Sequence, residues 1–316
     1  MKIIGTGSAL PKRSVDNNEL STFLDTSDEW IFTRTGISSR RVLTDETMED
    51  LTACAAQKAL AQANITAADL DYIICSTTYS PFITPALATV VQGIIQAQCP
   101  SIDINGACAG FVYALELANG LLQSGKNNIL IVCAESNTRM TDWTDRSTCV
   151  LFGDAAAAAI VTKSEDTMLI RTNTVSNLSP LCAYNASGNS PFAVPYPSDR
   201  LYMAGQEVYK FAVTASIADI AALLEETNLQ QQDIDYFILH QANNRIVEAV
   251  RQRLEVEPER FPNNIRHLGN TTSASVLLLL DELSREGKLK TGDKIIMSTF
   301  GAGMVTGACL MHWTCI

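Results

Sequence analysis

The chain repeats itself. Residues 64–74 read NITAADLDYII and residues 228–238 read NLQQQDIDYFI. At an offset of 164 (228 − 64), five of eleven positions are identical: Asn64/Asn228, Asp69/Asp233, Asp71/Asp235, Tyr72/Tyr236 and Ile74/Ile238. Leu70 is matched by the apolar Ile234. The offset is close to half of the 316 residues, so the fold has to accommodate two copies of one unit.

The surroundings of each copy agree. A helical pattern precedes it, at 47–63 in the first half and 206–226 in the second, and each copy runs into a strand. Gly106 then opens a helical stretch at 108–123, closed by Gly125 and followed by a strand at 128–135. Gly269 opens another at 271–285, closed by Gly287 and followed by a strand at 294–299. Glycine just past a helix end tolerates the left-handed backbone that stops it. Helix, strand, helix, strand in each half predicts an α/β fold with parallel or mixed sheets covered by helices. We expect two similar halves, 1–165 and 166–316, in line with a prior of about 150 residues per domain. Residues 178–204, rich in Ser, Asn, Pro and Gly, read as a long loop region, which in a compact enzyme is functional or mobile.

Hydrophobic residues make up 47% and charged residues 18%, which suits a packed core and excludes a disordered chain. The net charge of −11 argues against a global grip on nucleic acid. The longest apolar runs, 129–134 and 276–280, fall far short of the roughly 18 residues of a transmembrane helix. Gly5, Gly7 and Pro11 interrupt the N-terminal apolar run, unlike a signal peptide. Nine cysteines, an odd number without a C-x-x-C pair, disfavour a disulfide framework or a zinc site. Most lie in apolar runs such as IIC and IVC and read as small buried hydrophobes. A reducing cytoplasm fits, and no metal is expected.

Three polar residues stand where the repeat forms turns. Cys108 follows the strand-like SIDI and the small residues Asn105, Gly106 and Ala107, at a helix start. Unpaired backbone N–H groups and the helix dipole are expected there to lower its pKa. The plainer reading is a small residue packed at an elbow. His240 ends the strand DYFILH before QANNRI, which begins a helix, and strand C-termini are where α/β proteins gather catalytic groups. Asn270, after Gly269, starts the equivalent helix of the second half, near the position that corresponds to Cys108; a simple N-cap is the plainer reading. Together they supply a nucleophile with two polar partners around a pseudo-twofold axis. Such a set serves a Cys-dependent hydrolase as well as an acyl transferase.

Other signals carry less. His267 sits in a loop and His312 near the last strand. GTGSAL fails as a dinucleotide fingerprint because Leu10 occupies the third glycine position. GDAAAAAIV, 153–161, reads as a buried strand of small side chains. Arg245, Arg251 and Arg253 are either a solvated helix face or, on an acidic protein, a local dock for an anionic partner.

A set of ordered motifs runs nearly end to end: IIGTGSALP (3–11), TSDEWIFTRTGI (26–37), GACAGF (106–111), TDRST (144–148), FGDAAAA (152–158), AGQEVYK (204–210), HQANNRI (240–246), GNTTSAS (269–275) and FGAG (300–303). In these the sequence resembles β-ketoacyl-acyl-carrier-protein synthase III, a condensing-enzyme family of the thiolase superfamily. The resemblance implies a thiolase-like, five-layer αβαβα fold of two duplicated halves, and a homodimer. It implies that Cys108 accepts an acyl group from acyl-CoA, and that His240 and Asn270 serve decarboxylative condensation with malonyl-acyl carrier protein. Coenzyme A is then a substrate, and no cofactor is needed. The family's coenzyme A contacts fall on Trp30, Arg34 and Arg146. Gly205 and Asn243 line the pantetheine tunnel, and Phe152 and Leu201 belong to the acyl pocket. The backbone N–H groups of Cys108 and Ala302 form the oxyanion hole, and Lys210, Arg245, Arg251 and Arg253 face the carrier protein.

Four positions depart from the family pattern. Ala302 stands where glycine is frequent, and its N–H can still serve an oxyanion. Ala155 and Ala157 replace glycines in the buried strand. Thr84, before Pro85, occupies the loop that by resemblance crosses into the partner's acyl pocket, where a bulky aromatic would restrict the primer. Two readings therefore stand beside each other: an enzyme that starts fatty acid biosynthesis, and a related acyltransferase or condensing enzyme of specialised metabolism with an unusual primer or acceptor.

Overall fold

Two mixed sheets repeat one strand order. The structure, a computed structural model, describes residues 1–166, 168–183 and 201–314. After β1 (Lys2–Ala9), the strands β2 (Arg13–Asp16) and β3 (Ser39–Val42) form a small antiparallel ladder. β4 (Tyr72–Ser76), β5 (Ser101–Ile104), β6 (Asn128–Ser136) and β7 (Asp154–Thr162) join β1 in a sheet of order β1-β7-β6-β4-β5. After β8 (Leu169–Asn177), β9 (Leu181–Ala183) and β10 (Leu201–Met203) pair with each other. The second sheet runs β11 (Tyr236–Leu239), β12 (Lys294–Gly301), β13 (Gly303–His312), β8. β6 lies parallel to β4 and antiparallel to β7, and β12 lies parallel to β11 and antiparallel to β13. The strands of the first sheet thus recur, one for one, as β8, β11, β12 and β13; among the described residues β5 has no counterpart.

The helices are α1 (Asn17–Leu20), α2 (Asp28–Thr35), α3 (Met48–Ala63), α4 (Leu87–Ile94), α5 (Gly110–Gln123), α6 (Gly205–Thr227), α7 (Asn244–Leu254), α8 (Ile265–Leu268) and α9 (Ala274–Arg285). Strand alternation sorts them into layers. Ile73, Cys75, Leu130 and Val132 point to one face of the first sheet and bury it against α3 and α4. Ile74, Ile129, Ile131 and Cys133 point to the other face, against α5 and α9. Ile238, Ile295 and Met297 of the second sheet close on the same two helices. Phe237, Leu239 and Ile296 face outward to α6 and α7. The result is the αβαβα layering of duplicated halves that the resemblance implies. α9 lies between two sheets, so its run Val276–Leu280 is apolar on every side. Each such buried leucine contributes about 1.5–3 kcal/mol relative to exposure.

The repeated residues have repeated jobs. Asn64 and Asn228 end α3 and α6 in the left-handed conformation, both at φ 54°. Asp69 and Asp233 cap the following 3-10 turns by accepting from the amides of Thr66 and Gln230. Asp71 and Asp235 accept from the amides of Asn127 and Lys294, aligning the next strand of each sheet. Gly5 and Gly7 lie under α3; a Cβ there would sit 2.3 Å from the carbonyl oxygens of Ala59 and Ala55. Close packing, not a nucleotide, explains the GTG run.

Some expected boundaries move. The helix expected from Cys108 begins as a 3-10 turn, Ala107–Ala109, with α5 starting at Gly110. The one expected from Thr271 starts at Ala274, because residues 270–273 form a turn instead. His267 lies on α8, exposed, rather than in a loop. Within the long loop region, β9 and β10 form a ladder, and residues 184–200 lie outside the described residues.

Candidate active site

Two turns built alike carry Cys108 and Asn270. Asn105 Oδ1 accepts from the Ala107 amide at 3.1 Å, and Asn270 Oδ1 accepts from the Thr272 amide at 2.9 Å. Ala107 and Thr272 both take positive φ, 47° and 46°, a strained setting for residues with a side chain. By this correspondence the partner of Asn270 is Asn105, and that of Cys108 is Ser273. Asn270 is therefore not the N-cap of α9; Ser273 occupies that position. Its backbone is pinned instead to the start of β7, with Asn270 N donating to Leu151 O at 2.8 Å and Gly153 N to Asn270 O at 3.0 Å.

His240 follows the last residue of β11 and is 1% exposed. Its Nδ1 lies 2.7 Å from Ser275 Oγ on α9, and its ring packs edge-on against Phe300. Burial lowers its pKa to about 3, so the imidazole is neutral. Cys108 differs from expectation. Burial, and next the charge of Glu135, push its thiol well above the ordinary range; its own backbone amide opposes this only in part. The short 3-10 turn ahead of α5 does not by itself produce a thiolate, so the thiol needs a base.

A cavity of about 240 Å³ collects Cys108, His240 and Asn270 in its lining. Ala302 reaches it from the connection after β12, and Gly301 explains how: a Cβ there would lie 2.7 Å from Cys108 N. Phe152, Leu201, Gly205 and Asn243 also line it. Met140, Leu181, Cys182, Met203 and Met304 add apolar wall that the sequence did not single out. Asn243 caps α7 through Arg245 N and donates to Arg34 O at 3.1 Å, tying α7 to α2.

The remaining expected residues lie outside the cavity lining. Trp30 on α2 is flanked by guanidinium groups, Arg34 at 4.5 Å and Arg146 at 5.0 Å from the ring centroid. Arg146 also reaches Asp25 at 3.3 Å. Thr84 is exposed on the loop before α4 and does not line the pocket of its own chain. Lys210 on α6 and Arg245 in the first turn of α7 are exposed near Gly205 and Ile246, which line the cavity. Arg251 is not a free docking cation: it pairs with Glu248 and donates to Val256 O at 2.7 Å. Arg253 lies in the last turn of α7, eight residues from Arg245, or about 12 Å along the helix. Ser275 and Glu135, which support the site, were not found from sequence; each is an ordinary polar residue beside an apolar run.

Among the described residues, no helix is long and apolar enough to cross a membrane and no group of His, Cys, Asp or Glu is arranged to hold a metal.

Comparison with known proteins places the chain in one family. Residues 102–177 match the family profile described as 3-oxoacyl-[acyl-carrier-protein] synthase III, and residues 224–313 match the profile of its C-terminal part. The chain is 42% identical to a β-ketoacyl-[acyl-carrier-protein] synthase III of Clostridium perfringens, over 98% of each chain. The crystal structure of 3-oxoacyl-[acyl-carrier-protein] synthase III from Aquifex aeolicus is similar at TM-score 0.92 and 38% identity, over 99% of each chain. That of the priming β-ketosynthase of the R1128 polyketide biosynthetic pathway is similar at TM-score 0.92 and 34% identity, over 99% of this chain and 96% of that one.

Proposed function

The chain belongs to the 3-oxoacyl-[acyl-carrier-protein] synthase III family, and on that premise we propose that Cys108, His240 and Asn270 divide two half-reactions between them. The protein is an acyltransferase of the condensing type, which starts fatty acid biosynthesis. The observation that carries the residue assignment is the single cavity shared by the three side chains and Ala302.

In the first half-reaction, the Cys108 thiol gives its proton to neutral His240, and the sulfur attacks the acyl-CoA carbonyl. The C–S bond to coenzyme A breaks, and its thiolate takes the proton from His240. In the second, the malonyl group on the carrier protein loses CO2. The enolate oxygen accepts hydrogen bonds from His240 Nε2–H and the Asn270 amide, each such donor worth roughly 3–4 kcal/mol. The carbanion attacks the thioester, the oxyanion meets the N–H groups of Cys108 and Ala302, and the C–S bond to Cys108 breaks. The released Cys108 thiolate recovers a proton from the medium, and the product is a 3-oxoacyl carrier protein.

Trp30, Arg34 and Arg146 suit the adenine and phosphates of coenzyme A, since guanidinium groups pair with phosphate and the indole offers a flat face. Gly205 and Asn243 flank the pantetheine arm, Phe152 and Leu201 the acyl chain, and Lys210 and Arg245 the acidic carrier protein. The halves 1–165 and 166–316 contribute the nucleophile and its two partners respectively. A homodimer is supported by the edge strand β5 with Ile102 45% exposed and by fully exposed Ile83.

The test is to incubate the protein with acyl-CoA and malonyl-acyl carrier protein. Acylation of Cys108 by intact mass, CO2 release and a 3-oxoacyl product support the assignment; thioester hydrolysis without carbon–carbon bond formation rejects it. A second reading, a starter enzyme for an unusual primer, is favoured by the likeness to the polyketide priming synthase. A panel of acyl-CoA primers separates the two.

A further inference from the structure

Glu135, near the end of β6, is a fully buried carboxylate that no step above uses. Its Oε2 accepts from the amide of Thr78 at 3.1 Å and from the Thr78 hydroxyl. Its Oε1 accepts from the Ser273 hydroxyl. Thr78 lines the cavity, and Ser273 follows directly on the turn that carries Asn270 and Thr272. Two residues further along β6 and beyond it, Asn137 accepts from Thr272 Oγ1 at 3.2 Å and donates toward Asn270 O. The turn of Asn270 is therefore held from the first half of the chain.

The start of α5, directly after the Cys108 turn, packs on the same Ser273. Gly110 is wedged so tightly that a Cβ would lie 1.9 Å from Ser76 Oγ and 3.3 Å from Ser273 Cβ. Glu135 thus holds Ser273, which follows the Asn270 turn and packs on the helix start after Cys108. Its partners are neutral hydroxyl and amide donors, and burial of the carboxyl raises its pKa to about 7. The titratable groups that feel its charge are Cys75 on β4, Cys133 on its own strand and Cys108 ahead of α5; burial pushes all three thiols up. Two negative charges in one buried region oppose each other.

We propose that Glu135 is a positioning residue of the condensing site: through Ser273 and Thr78 it fixes the Asn270 turn against the cavity wall, and its ionised form opposes the Cys108 thiolate. This rests on the reading of Cys108 as the nucleophile. At pH below the titration of Glu135 the carboxyl is neutral and the opposition vanishes. Above it, the charge holds Cys108 as thiol until His240 takes its proton.

The test compares wild type with Glu135→Gln, which keeps a carbonyl acceptor and removes the charge. The rate of Cys108 alkylation by iodoacetamide is followed by peptide mass from about pH 5.5 to 8.5. The ratio of variant to wild type is expected to rise from near one to about tenfold across that range. A purely structural effect gives a ratio independent of pH, and that result overturns the charge role. Ser273→Ala tests the clamp: single-turnover condensation should fall more than acylation, and equal losses overturn it. If Cys108 is not alkylated or acylated in wild type, the failure lies with the nucleophile assignment and not with Glu135.

Discussion

His240 Nδ1 lies 2.7 Å from Ser275 Oγ, a hydroxyl that can donate to the ring or accept from it. In the proposed mechanism the two half-reactions need opposite tautomers. Taking the Cys108 proton requires a lone pair on Nε2, hence Nδ1–H donating to Ser275. Stabilising the enolate requires Nε2–H, hence Ser275 donating to Nδ1. A carboxylate in place of Ser275 would lock the first form, whereas a hydroxyl permits both.

Ser275→Ala should therefore slow both half-reactions by roughly 5- to 30-fold, the loss of one buried hydrogen bond of about 1–2 kcal/mol. Asn270→Ala should impair condensation by about 10²-fold or more and spare acylation, because in the proposed mechanism its amide meets only the enolate. His240→Ala should damage condensation more than acylation. Single-turnover acylation by intact mass and single-turnover condensation with malonyl-acyl carrier protein separate the effects. Equal losses for Asn270→Ala in both halves would mean that its role is wrongly assigned.

The fold was legible where the chain is locally repetitive. Asn64/Asn228, Asp69/Asp233 and Asp71/Asp235 are short-range caps and strand aligners, and each acts within a few residues or on the adjoining strand. Cys108, His240 and Asn270 were legible because strand-to-helix joints bring them to one end of the sheets. The ionisation of Cys108 was not legible, because it depends on burial and on Glu135, 27 residues away. Ser275 and Glu135 were missed for the same reason: their meaning lies in contacts across the two halves. Arg251 reads as a docking cation in sequence, yet Glu248 three residues before it and the Val256 carbonyl five residues after it engage its guanidinium.

Glu135 and His240 shift in opposite directions, and their signatures in stability differ in sign. His240 is lowered from 6.5 to about 3, so the unfolded chain binds more protons between these values and stability rises with pH there. Glu135 is raised from 4.5 to about 7, so the folded chain binds more protons and stability falls as pH rises through that window. Glu135→Gln removes only the second. The stability difference, wild type minus variant, should decline by on the order of 3 kcal/mol from about pH 4.5 to 7. Urea unfolding of both proteins across this range checks it; a difference independent of pH would show that Glu135 titrates normally in the folded state.

Arg245→Glu should raise KM for malonyl-acyl carrier protein a few-fold, an effect of about 1 kcal/mol or less that shrinks with added salt. Priming by acyl-CoA should be little changed. Arg245 is exposed in the first turn of α7 beside the cavity, whereas Arg253 stands at the far end of that helix. Arg253→Glu should therefore have the smaller effect. Steady-state kinetics in both substrates at two ionic strengths decide, and a KM indifferent to both reversals and to salt removes this face from the docking surface.

Thr84 should let the enzyme accept primers longer than acetyl, and Thr84→Phe should shorten that preference. Within one chain Thr84 is exposed and is not part of the lining of the cavity that holds Cys108, and its neighbour Ile83 is fully exposed. This gate presumes the proposed homodimer, in which a second copy would receive the loop tip. Pro81 and Pro85 flank the tip, and fixed φ angles limit how far a side chain there can swing away. Each methylene of a primer buried in the space left by a threonine is worth about 0.8 kcal/mol. A phenyl ring would occupy that space and turn the gain into a clash. The measurement is kcat/KM for acetyl-, butyryl-, octanoyl- and dodecanoyl-CoA with both proteins, together with their molecular mass in solution. A wild type that strongly prefers acetyl, or a Phe variant that remains dimeric with an unchanged chain-length profile, would show that primer length is set by the Phe152 and Leu201 wall instead.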